Sequence, residues 1–332
     1  MYKFIVLSLC FILISKPILF AQKYTSPVDL EMFLSGTFGE LRNNHFHAGI
    51  DIKTNGVQGH KLRSIDDGYV SRIKVSSWGY GKTIYINHPE TGHTSVYAHL
   101  QRFSNKIDSI VLRKHYQEEK FELDFSLNKN IIKIKKGELI GYSGNSGSSA
   151  GPHLHFEIRE TKNQKPINPL QFGFKIKDDI PPKLVKLKIY AFDTTLINGY
   201  NSNKTYDLFK KGENYHINEI PEISGPFAIG IYTYDQSNGS YNKNGIYNIK
   251  LFVDTIKYYE FKVDKLDFNT TRYINAHIDY YEKKANKIKF HRCYKLKNND
   301  LETYPSIVNN GIINLKNNLH TIKIEVKDIY NN

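Results

Sequence analysis

The run GPHLHFEIR, residues 151–159, places two histidines one residue apart in a stretch whose alternation reads as a β-strand. His153 and His155 then share one face, and Leu154 and Phe156 the other. Imidazole and carboxylate are the ligands zinc prefers, and a catalytic zinc takes three protein ligands while keeping a fourth position for water. Two further segments offer matching groups. NNHFHAGIDIKT (43–54) carries His47 and Asp51 four residues apart, and TSVYAHLQ (94–101) ends a strand-like alternation in His99. His47, Asp51 and one member of the 153/155 pair would complete a metal site. Two imidazoles on one strand face have Cα atoms about 6.5–7 Å apart, so both could bind one ion, or one could bind while the other works on the bound water. Spacing does not choose between these arrangements, nor between His47 and His45, which form a second H-x-H pair. A single histidine is more often a hydrogen-bonded structural residue. Five candidates in three glycine-flanked segments are hard to explain as packing.

The loop SGNSGSSAG (143–151) leads into the pair, and glycines at 141, 144, 147 and 151 permit close backbone approach. It lacks the Gly-Lys-Ser/Thr ending and the strand-to-helix context of a phosphate cradle. The elements that hold these groups come from a chain of 332 residues, 40% hydrophobic and 13% aromatic. That length suits about two domains at roughly 150 residues each. Tyrosine (24) and phenylalanine (19) far outnumber methionine (2), and β-branched and aromatic residues cluster in short runs, which predicts an all-β chain. Nine of the 13 histidines fall before residue 170. INPLQFGFKIKDDIPPKL (167–184), ending in Pro181-Pro182, marks a boundary. Beyond it, runs such as KLVKLKIYAF, FAIGIYTYD, YNIKLFVD and HTIKIEVKD predict a β-sandwich-like domain over 183–332. The chain stops at DIYNN after a strand and reads as a fragment, with that domain truncated.

Residues 1–22 have the layout of a secretory signal peptide: Lys3, about a dozen apolar residues, Lys16-Pro17 and a small residue at Ala21, with an uncleaved anchor as the alternative. The expected location is outside the cytoplasm, in the periplasm or cell envelope. Cys10 lies in the leader and Cys293 is left alone, so an intrachain disulfide is excluded and Cys293 reads as a small buried apolar residue. The net charge is +13, of which Lys3 and Lys16 carry two, leaving +11 after leader removal. Such a surface favours polyanions. With no nucleic-acid-binding motif in an exported chain, nucleic acid is not an expected partner, whereas anionic envelope polymers are at hand.

HFHAGIDI, VYAHL and GPHLHFEIR, in that order and with KKGELIGYSGNSG leading into the last, closely resemble the zinc metallopeptidases of the M23 family, the lysostaphin-like and LytM-like cell-wall endopeptidases. The match covers roughly residues 36–172, and FGELRNNHFHAGIDI and KPINPLQFGF look in particular like exported members found in the Bacteroidetes. The resemblance implies an antiparallel peptidase domain over 23–178, with His47, Asp51 and His155 as zinc ligands and His153 and His99 flanking the open position as the groups that move protons. It implies a Zn2+-dependent endopeptidase acting on peptidoglycan stem or cross-bridge peptides. Relatives that have lost ligands serve as activators of other hydrolases, so a catalytically silent wall-binding or activator module is the alternative, and cleavage of a protein substrate is a third reading. His45 and His88 read as neighbours of the site or structural residues, and His60, His93 and His115 as solvent-facing. Residues 102–136 form an insertion relative to the family, in which QEEKFELDFSLNKN (117–130) is expected to make a lid or one wall of the cleft. The 183–332 part carries no comparable motif; it is expected either to bind or position something, an envelope protein included, or to play a structural role.

Overall fold

The computed structural model describes residues 24–316 and 318–332, so the leader-like segment lies outside the described residues. Strands account for 38% and helices for 11% of the chain, in antiparallel sheets, as the aromatic and β-branched runs predict. Among the described residues no helix is long and apolar enough to cross a membrane.

The amino-terminal part runs through β1 (Leu34–Gly36), β2 (Ile50–Lys53), β3 (Lys61–Arg63), β4 (Gly68–Val75), β5 (Thr83–His88), β6 (His93–Ala98) and β7 (Arg102–Phe103). It continues through helix α1 (Asn105–Glu118), β8 (Leu123–Ser126), β9 (Lys133–Ile134), β10 (Leu139–Tyr142), β11 (His153–Glu160) and β12 (Pro166–Ile167). The large sheet has the order β1-β2-β11-β6-β5-β4-β8, with β12 beside β11 and β9 beside β4, while β3-β10-β7 form a smaller one. Alternation decides which side of each strand is buried. Leu154, Phe156 and Ile158 of β11 and Ile50 and Ile52 of β2 are fully buried on the core side, each contributing roughly 1.5–3 kcal/mol of apolar burial. That burial fixes which residues face the other way, because a one-residue slip would turn the whole set over.

The charged segment 117–130 is built into the sheet. Its β8 pairs with β4 at the sheet edge opposite β1 and β2, and the Glu122 carboxylate accepts from the Ser77 amide. Leu123 is buried, and Asp124 pairs with Arg72 at 2.6 Å across this edge.

From Lys183 onward two four-stranded sheets share a core. Lys204–Asp207, Lys183–Ala191, Phe227–Tyr234 and His291–Arg292 make one; Ser306–Ile307, Ile256–Lys262, Asn248–Val253 and Ile322–Lys327 make the other. Ile322 and Ile324 are half-buried, as alternation predicts, and line an apolar groove of about 480 Å³ between the sheets with Ile189 and Ile231. Cys293 is fully buried, and burial pushes its thiol up to about 12.

The two parts pack through one continuous apolar cluster. Phe46, between His45 and His47, lies 6.3 Å from the Phe261 ring and 5.9 Å from the His277 ring. Lys283 and Lys289 donate to the carbonyls of Asn43 and Leu41, and the Ser240 hydroxyl donates to the Leu34 carbonyl at 2.7 Å. His277 and His291 are hydrogen-bonded to each other at 2.8 Å.

Burial holds His277 far below the usual imidazole range, and burial with Lys289 nearby holds His291 down to about 3. Both are neutral in the folded chain, whereas the unfolded chain protonates them below about pH 6.5. Stability is therefore full above about pH 6.5 and falls as the pH is lowered towards about 3. Urea unfolding should show a lower midpoint at about pH 5 than at about pH 7.5, and His291→Gln should shrink that difference; an unchanged difference in the variant would refute the assignment.

Candidate metal centre

Strand register brings the distant segments together. β2 and β11 are antiparallel neighbours with Asp51 opposite His155, while β6 flanks β11 on its other side with Ala98 opposite His155. Directly opposed residues on one sheet face stand about 4.5–5.5 Å apart, so one rung closes the 104-residue separation of Asp51 and His155. His47 enters from the turn before β2, and His99 from the end of β6. His99 Nδ1 and the Ser146 carbonyl are 2.8 Å apart, and the His99 backbone has φ of 62°, a left-handed conformation uncommon for a non-glycine residue. Gly144 packs on this segment so tightly that a Cβ would run into the Gln101 backbone.

His47 Nε2 lies 3.0 Å from Asp51 Oδ1 and 3.0 Å from His155 Nδ1, and His155 Nδ1 lies 2.9 Å from Asp51 Oδ1. All three residues are buried. Four-coordinate zinc with ligands at about 2.0–2.1 Å sets neighbouring donors about 3.3 Å apart, so the three donors stand within a few tenths of an ångström of that arrangement. His153 Nε2 is 3.6 Å from Asp51 Oδ1, and the His153 ring centroid is 4.8 Å from that of His99.

Each imidazole has its other nitrogen committed to an acceptor. His47 Nδ1–H donates to the Thr37 carbonyl at 2.8 Å, His153 Nδ1–H to the Gly151 carbonyl at 2.8 Å, and His155 Nε2–H to Glu157 Oε1 at 2.8 Å. Carbonyls and carboxylates only accept, so in the neutral rings these bonds settle the tautomers and leave the other nitrogen of each with its lone pair. Arg42 donates to Asp51 Oδ2 at 2.7 Å, leaving Oδ1 for the donor cluster. Beneath His155, fully buried Glu157 pairs with Arg159 Nε at 2.6 Å and accepts from the Tyr80 hydroxyl.

The electrostatics favour positive charge at the cluster. Burial alone would raise Asp51, but the neighbouring His47, His153 and His155 hold it well below the usual carboxylate range. Burial likewise opposes charge on His155, yet Asp51 and Glu157 push it up to about 9. Glu157, despite burial, is drawn down to about 2 by Arg159 and His155. Burial, with His155 nearby, holds His99 down to about 4. Two nitrogen lone pairs and a carboxylate oxygen converging at 3 Å fit a borderline-soft divalent cation such as zinc.

The structure thus brings together all five candidates, His47, Asp51, His99, His153 and His155. Outside that group, His45 is exposed, while His88 is buried and bonded to the Asp67 carbonyl and the Ser95 hydroxyl. His60, His93 and His115 are half-buried rather than solvent-facing; His115 bonds the Lys120 carbonyl past the end of α1, and His93 meets the Tyr24 hydroxyl. The supporting residues Thr37, Arg42, Tyr80, Glu157 and Arg159 were missed. For two of them a signal existed: Glu157 and Arg159 continue the period-two face begun by His153 and His155.

Residues 45–115 and 124–169 match the model of peptidase family M23. This part of the chain is similar to that family. The chain is 32% identical over 130 residues to the DD-carboxypeptidase/endopeptidase Mpg of Neisseria meningitidis, covering 39% of this chain and 23% of the relative. It is 27% identical over 191 residues to the glycyl-glycine endopeptidase ALE-1 of Staphylococcus capitis, covering 56% of this chain and 43% of the relative. The chain thus spans less than half the length of these curated relatives. The crystal structure of the catalytic domain of a prophage-encoded M23 protein, EnpA of Enterococcus faecalis, aligns with 25% identity and a TM-score of 0.32, over 46% of this chain and 98% of that one.

In the M23 part, Glu157 fixes the tautomer and orientation of His155. Glu157→Gln should therefore weaken zinc affinity by about 10–100-fold, measured by competition with a chromophoric chelator; unchanged affinity would show that the Tyr80 and Asp51 contacts suffice to orient the ring.

Proposed function

We propose that the chain is an exported zinc metalloendopeptidase that hydrolyses peptide bonds in the stem or cross-bridge peptides of peptidoglycan. The observation that carries this is the convergence of His47, Asp51 and His155 on one point, with His153 and His99 beside it. Zinc held by those three would lower the pKa of a bound water towards about 7 and polarise the scissile carbonyl. The substrate class rests on the names of the relatives, a glycyl-glycine endopeptidase and a DD-carboxypeptidase/endopeptidase. The location rests on the leader layout of residues 1–22, which supports a mature chain, as units 23–178 and 183–332, in the periplasm or envelope.

The chain's own residues supply the proton handling. His153, with Nδ1–H held by Gly151 and Nε2 free beside Asp51, is the base that takes a proton from the attacking water and returns it to the leaving amine. His99 donates through Nδ1 to Ser146 and keeps Nε2 free; its depressed basicity leaves it neutral at pH 7, a second acceptor facing the same space. Rigid placement matters as much as basicity, because reacting groups gain most when they are held in line before the reaction begins. A silent activator module would not need the full set of three ligands and two flanking imidazoles, and that completeness favours the enzyme.

The full chain should hold one zinc and release defined muropeptides from purified sacculi, identified by mass spectrometry. His153→Ala should retain zinc and lose about 10²–10⁴-fold in rate, while His47→Ala should lose the metal as well. Absence of both metal and product in the unmodified chain would overturn the proposal; products undiminished in His153→Ala would refute that residue as the base.

A further inference from the structure

A second cluster of metal-type donors lies away from the M23 site, where the segment after residue 172 meets the sandwich. Asp178 belongs to that connecting segment. Asp235 follows strand Phe227–Tyr234 in one sheet, and Asp328 follows strand Ile322–Lys327 in the other. One carboxylate oxygen from each lies within 4.8 Å of the others, inside the span of about 5 Å open to two oxygens on one calcium ion. They border a cavity of about 20 Å³ together with Ser237 and Tyr330, room for one water-sized occupant.

Asp235 is 2% exposed, and its Oδ1 is buried without a hydrogen-bond partner; the Tyr330 hydroxyl, on the same cavity, is also unpartnered. A buried carboxylate oxygen without a donor is costly unless a cation or a proton satisfies it. The other two carboxylates already hold local groups: Asp178 Oδ1 accepts from the Ile180 amide at 3.3 Å, and Asp328 accepts through Oδ1 from the Tyr330 and Asn332 amides at 2.9 Å each and through Oδ2 from the Asn332 side-chain amide at 2.8 Å. Both retain free lone pairs. The charges acting on Asp178 and Asp235 are other carboxylates; burial and this repulsion push the two up to about 6 and about 8.

We propose that Asp178, Asp235 and Asp328 bind one calcium ion at this junction. The donors are all oxygen, with the Tyr330 and Ser237 hydroxyls at hand, which selects a hard cation over zinc. The ion would tie the connecting segment to the ends of both sheets. It would also brace the loop that begins at Asp235, whose amide and carbonyl pair with Asn244 at 3.0 and 2.8 Å. The next residue, Gly245, donates its amide to the Thr37 hydroxyl at 3.0 Å, and Thr37 holds His47.

The test uses the full chain, stripped of metals and resupplied with one equivalent of zinc. Calcium chloride at ~1 mM should raise the Tm by about 3 °C or more. Terbium(III) should give tyrosine-sensitised emission saturating at one ion per chain and displaced by calcium. Asp235→Asn removes a like charge, so it should be at least as stable as the parent without calcium yet lose both the Tm shift and the emission. His47→Ala should keep the emission, which separates this site from the zinc centre. Absence of shift and emission in the parent, or their survival in Asp235→Asn, overturns the proposal. Stabilisation by acid alone, with calcium silent, would show that the carboxyls share protons instead.

Discussion

Four imidazoles can offer a free nitrogen to one small space only if each has somewhere else to keep its proton. The M23 part meets that constraint with fixed acceptors: the carbonyls of Thr37, Ser146 and Gly151, and the Glu157 carboxylate. All four are backbone carbonyls or a fully buried carboxylate, and two of them, Ser146 and Gly151, belong to the glycine-rich loop. Without them each ring could flip or change tautomer, and a donor turned inward would repel a cation. The buried Glu157–Arg159 pair belongs to the same logic. An ion pair in that position adds little stability by itself, but it keeps Glu157 ionised, and an ionised Glu157 raises the basicity of the ring it holds.

Sheet register and loop anchoring divide the remaining work. The rung that sets Asp51 opposite His155 is fixed by apolar residues on the far face, so the chemistry depends on Ile50, Ile52, Leu154 and Phe156 as directly as on any ligand. His47 has no such rung. Its loop is held from outside the M23 part: Phe46 inserts beside Phe261 and His277, Lys283 and Lys289 bind the carbonyls of Asn43 and Leu41, and Gly245 grips Thr37. The carboxy-terminal part therefore bears on a candidate metal ligand through Phe46, its immediate neighbour, and through Thr37, whose carbonyl holds its ring.

The legibility of the sequence follows the range of the interactions involved. Alternation along a strand is local, so the shared face of His153 and His155 and the all-β class were readable, and Glu157 and Arg159 could have been read from the same period. Thr37 could not, because it acts through a carbonyl that every residue possesses. Nor could the half-buried state of His93, which depends on Tyr24 sixty-nine positions away. For the segment 117–130 charge left a lid and a cleft wall both open, and the pairing of β8 with β4 and the burial of Leu123 decided its place. Ligand identity came from motif resemblance, since spacing left His45 and His47 equivalent; in the structure Phe46 points into the core between them, and only His47 faces the cluster.

That insertion of Phe46 also bears on how the M23 part can be studied. Cutting the chain near residue 178 would strip Phe261, Val263 and His277 from Phe46, Gly39 and their neighbours and expose a fully buried phenylalanine next to a candidate metal ligand. Losing the burial of a phenylalanine costs roughly 1.5–3 kcal/mol, and an equal penalty to the loop conformation that presents His47 would fall on metal affinity. The continuous core thus makes the carboxy-terminal part a structural component of the site, and an inactive isolated fragment would report a displaced loop before it reported on the chemistry.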